Sequence, residues 1–115
     1  MKLIIKRDQK AQTGLLGGHK GMTFLLTTRV ELTPHEQELV NRYKAEDYQL
    51  TEATMVGSKV VPGVTVRSLM HGVNKEAKEI GTIVKTEEEI KGNCKALKQL
   101  LALMATFGGE EVVEF

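Results

Sequence analysis

The sequence predicts an α+β fold, a single compact domain over residues 1–115 with helices packed on one face of a mainly antiparallel sheet. Three observations carry this. Two strand-like runs, "KLIIKRD" and "MTFLLTTRVEL", flank a glycine-rich segment near the start. Two Thr-x-x-Glu capping boxes, Thr33 with Glu36 and Thr86 with Glu89, each open a helical pattern. The last residues, "EEVVEF", read as a short strand returning along the sheet.

The two opening runs form a long β-hairpin. In the second, Met22, Phe24, Leu26, Thr28, Val30 and Leu32 fall on one side and Thr23, Thr27, Arg29 and Glu31 on the other, with Leu25 the one apolar residue out of place. Gly14, Gly17, Gly18 and Gly21 make the connection between the runs a turn-forming segment. Within it, Leu15 and Leu16 are two adjacent leucines that water covers poorly, so they are expected to fold back on the body or to dock on another surface.

The stretch "GLLGGHKGMT" resembles a phosphate-binding loop only in composition. Counted from Gly14, the second glycine position holds His19, and Gly21 stands where a Ser or Thr would bind magnesium. A strand follows instead of the helix whose N-terminus would face the phosphates. A nucleotide site is therefore not expected here.

After the hairpin, Thr33 caps, Pro34 suits the first helical position and Glu36 completes the box, predicting a short surface helix over about 34–46. Its apolar stripe is narrow, formed by Leu39, Val40 and Tyr43. Between residues 48 and 85 the pattern is weaker. "KVV", a Pro62-Gly63 turn and "VTVRSLM" suggest two strands or one bent strand, the charged "NKEAKE" interrupts, and "GTIVK" suggests another short strand. A long core helix is predicted over about 87–107, capped by Thr86, because Ile90, Cys94, Leu97, Leu101 and Met104 recur at alternating spacings of 4 and 3. Gly108 and Gly109 stop it.

Composition places the chain among ordinary soluble globules, with 41% hydrophobic and 27% charged residues. No apolar run suits a membrane span or a secretory leader, and the single cysteine agrees with a reducing compartment, so the cytoplasm is the expected location and no membrane partner is expected.

Little of the chemistry-bearing inventory converges. His19, His35 and His71 lie far apart, and none has a second His or Cys at a zinc-site spacing, so no metal and no cofactor are predicted. Cys94 lies on an apolar stripe and reads as a small buried hydrophobe. Ser58 and Ser68 lie in no nucleophile turn. The run Glu87, Glu88, Glu89 is accounted for by helix capping and the helix dipole. No catalytic residue is assigned.

Charge is distributed unevenly although the net charge is only +1. Residues 1–30 carry Lys2, Lys6, Arg7, Lys10, Lys20 and Arg29 against Asp8 alone, whereas residues 31–57 carry Arg42 and Lys44 against six acids. A basic hairpin beside an acidic helix can pair within the molecule or between copies. The expected function is therefore a noncatalytic protein-binding or self-assembling module that uses the hairpin, with Leu15, Leu16, His19 and Lys20 meeting another chain or a second copy. A nucleic-acid binder using Lys6, Arg7, Lys10 and Lys20 is the alternative, weakened by an aromatic content of 4% and the small net charge. A small enzyme is the third reading, with no residue to carry it.

Overall fold

The computed structural model describes residues 1–13 and 19–115, with side chains described for 1–11 and 21–115. The chain forms one α+β domain. Its hairpin consists of β1 (Lys2–Thr13) and β2 (His19–Glu31), so β2 begins earlier than the apolar alternation implies. Helix α1 (Pro34–Arg42) follows, then a 3-10 turn (Ala45–Asp47), a small hairpin of β3 (Thr54–Val56) and β4 (Lys59–Val61), helix α2 (Val66–His71), strand β5 (Val73–Ala77) and helix α3 (Ile80–Met104).

The main sheet is antiparallel in the order β1-β2-β5. Strand β5 pairs with β2 only from Phe24 to Thr28, so the hairpin runs on beyond it as a two-stranded arm. The molecule measures 69 × 35 × 28 Å. Leu26, Val30, Leu39, Val40, Val66 and Leu69 share one core with the buried stripe of α3.

The capping box at α1 forms as predicted: the Glu36 amide donates to Thr33 Oγ1 at 3.2 Å, and Glu36 Oε1 accepts from the Thr33 amide at 2.9 Å. The helix ends at Arg42 rather than near 46 because Lys44 adopts a left-handed conformation, φ 51°, that turns Ala45 into the core. The second box is not the expected Thr86 with Glu89, which lies inside a helix, but Thr65 with Ser68. Thr65 and Ser68 cap α2, which converts most of "VTVRSLM" from the expected strand into a helix, with Val66 and Leu69 buried one turn apart. Likewise "NKEA" supplies most of β5 instead of an interruption.

Helix α3 begins at Ile80, two turns before the expected cap. "GTIVK" is therefore helical, and Thr86 lies inside the helix with its hydroxyl donating to the Thr82 carbonyl at 2.9 Å. Burial outweighs the local preference of Thr82, Ile83 and Val84 for strand, since Ile83 and Glu87 extend the buried 4-and-3 series backward from Ile90. At the other end the helix stops at Met104 rather than near 107. The expected C-terminal strand is absent: residues 110–115 are exposed and pair with no strand, and β5 holds the place beside β2. Thr23, assigned to the outer face of β2, is 1% exposed.

Candidate docking surface

Alternation along β1 sets two unlike faces. Leu3 and Ile5 lie against the core, and Arg7 continues their side of the strand. Lys2, Ile4, Lys6, Asp8 and Lys10 lie on the other side. Beyond this, β1 is an edge strand: its backbone pairs with β2 alone, and along its 12 residues the outer edge has no neighbouring strand among the described residues. Unpaired amides and carbonyls along such an edge form a template for another strand, which lysines commonly guard against indiscriminate use.

Arg7 reaches across to α3. Its Nε donates to Glu87 Oε1 at 2.5 Å and its Nη2 to Oε2 at 2.9 Å, a bidentate pair between a half-exposed guanidinium and a carboxylate on a residue 9% exposed. The hydrogen bonds from Arg7 hold the Glu87 carboxyl below its ordinary value despite the opposing effect of burial, and the same partner raises Arg7. The sequence signal for this pair is the 4-and-3 repeat itself, which passes through position 87. An acid there is readily mistaken for a capping residue.

On the opposite face Lys10 Nζ lies 3.3 Å from Glu76 Oε1. Since β1 and β5 flank β2, this pair spans the central strand at the level of Thr23 and Leu25, their respective cross-strand neighbours. Thr23 Oγ1 is buried and has no hydrogen-bond partner.

Among the described residues the hairpin cations Arg7 and Lys10 meet Glu87 and Glu76, and of the acids of residues 31–57 only Glu31, on β2 itself, meets a hairpin cation side chain, Arg29, at 3.0 Å. The amino group of Met1, 2.8 Å from Glu36, is the contact that does join hairpin to helix α1. Of the acids in that region, Glu46 and Asp47 both meet Arg67, and Glu38 meets Arg42. For the four cations of the nucleic-acid reading, Arg7 is turned to one face and Lys6 and Lys10 to the other. His19 and Lys20 open β2, with side chains outside the described part, and Leu15 and Leu16 lie outside the described residues.

Exposed apolar side chains include Met55, Val56 and Val60 on the β3–β4 hairpin, Val112, Val113 and Phe115 in residues 110–115, and Ile80, Val84, Leu103 and Phe107 on and after α3. A groove of about 420 Å³ runs beneath β3–β4, lined by Thr51, Val61, Pro62, Val64 and, on α3, Gly92 and Asn93. Its titratable lining residues are Glu52 and Glu89. Cys94 is buried, which pushes its thiol pKa up and away from a reactive thiolate. His35 and His71 are exposed, on α1 and at the end of α2 rather than of a strand. Among the described residues no three His, Cys, Asp or Glu side chains are grouped to hold a metal ion, and no helix is long and apolar enough to cross a membrane. Comparison of the chain with protein-family models, with curated proteins and with solved structures finds no match.

Proposed function

We propose that this chain is a noncatalytic docking module whose β1–β2 arm engages another protein chain. One observation carries the reading: β1 keeps its entire outer edge unpaired on an arm that extends past the rest of the sheet. Main-chain pairing along such an edge gives affinity, and the flanking side chains give register and choice of partner. The nucleic-acid alternative is less well supported, because Arg7 and Lys10 are engaged by carboxylates and the cations divide between two faces.

A photo-crosslinking residue in place of Lys6 tests this. The expected product is an adduct with a protein chain that disappears when Leu15→Ser and Leu16→Ser are added. An adduct with nucleic acid, or none, would overturn the reading.

A further inference from the structure

Two halves of a strand pairing stand open in this molecule. Residues 110–115, "EEVVEF", have strand-like composition, belong to no sheet, and expose Val112 at 78% and Val113 at 60%. Strand β1 offers an edge with no neighbour among the described residues. We infer that residues 110–115 of a second copy add to β1 as an antiparallel outer strand, an inference that rests on the docking reading above.

Charge selects the occupant. An edge-to-edge contact between two β1 strands opposes Lys2, Lys6, Arg7 and Lys10 with the same cations, and a contact between two 110–115 segments opposes glutamates with glutamates. Asp8 of β1 aside, only the mixed pairing sets opposite charges together.

Register follows from the same residues. Placing Glu110 opposite Lys6 brings Val112 opposite Ile4 and Glu114 opposite Lys2 on the outer face, while Val113 falls beside Leu3, which already packs against the core, and Glu111 falls beside the partly buried Ile5. A slip of one residue exchanges the faces, and a slip of two sets valine against lysine and glutamate against isoleucine. Neither Lys2 nor Lys6 has a side-chain partner among the described residues to compete for it. Because every chain carries both halves, a two-fold pair forms the contact twice.

Analytical ultracentrifugation of full-length charge-reversal variants tests the inference. The wild type is expected to dimerise, and Glu110→Lys/Glu114→Lys and Lys2→Glu/Lys6→Glu are each expected to weaken the dimer by about tenfold or more. Combining all four changes should restore most of the lost affinity, because every opposed pair regains opposite sign. A dimer unmoved by reversal at 110 and 114, or a fourfold variant as weak as the sum of its parts, would overturn the inference and leave the docking reading intact if the Lys6-position adduct still depends on Leu15 and Leu16. A monomeric wild type overturns it too. In that case an adduct to a different protein preserves the docking reading, an adduct to the chain's own residues 110–115 shows intramolecular closure, and the absence of any adduct removes both.

Discussion

Arg7 on β1 and Glu87 on α3 are joined by two parallel hydrogen bonds, at 2.5 and 2.9 Å, across 80 residues of sequence. The pair fixes the root of the arm to the principal helix. With Glu87 held below its ordinary value of 4.5, its contribution is present in full above that value and is lost as pH falls through the lower pKa of the folded state. The melting-temperature gap between wild type and Glu87→Gln should therefore be constant above about pH 5 and should narrow as pH falls below it. Thermal melts across that range check this, and a gap independent of pH would show that ionisation of Glu87 plays no part.

Leu101 sits in the buried series of α3 and is almost fully enclosed. Leu101→Ala should cost about 2 to 5 kcal/mol, the lost burial plus the cavity left behind. A denaturant midpoint equal to that of the wild type would refute the core assignment.

Thr23 buries a hydroxyl that finds no partner. Valine has nearly the same shape without the polar atom, so Thr23→Val should gain about 1 kcal/mol in chemical denaturation. A loss would mean that the hydroxyl is satisfied in solution.

Gly72 joins α2 to β5 with φ 97°, and a Cβ there would lie 2.6 Å from the Thr28 carbonyl oxygen. Gly72→Ala should destabilise by more than about 1 kcal/mol, since both the backbone conformation and the contact oppose it. Amide exchange along β5 should rise with it; unchanged protection would show that the turn adapts freely.

Elements with redundant signals were legible in the sequence. The α1 start had a cap, a proline and a box partner in agreement, and the stripe Ile90 to Met104 had five matching positions. Elements decided by tertiary contact were not. Local β-branching in "VTVRSLM" and "GTIVK" argued for strand, and burial of Val66, Leu69 and Ile83 against the sheet made both helical. The candidate docking surface shows the same division. The basic character of the hairpin was plain, but which cations are already matched depended on Glu76 and Glu87, residues that no short-range pattern links to β1. Residues 110–115 have a strand's composition, yet they join no strand among the described residues.

The placement of β2 between β1 and β5 also sets a timetable for synthesis. A hairpin closes within about 10 microseconds, so β1 and β2 pair as soon as both have emerged. About 40 further residues separate Glu31 from Val73, which at roughly 5–20 residues per second takes roughly 2 to 8 seconds. Throughout that interval the nascent chain presents a ribbon open on both sides, with Leu26 and Val30 uncovered and Arg7 waiting still longer for Glu87. On a crowded polysome neighbouring ribbons meet before their third strands exist, so the yield of correctly assembled protein should depend on translation rate and chaperone supply more than on the stability of the finished fold.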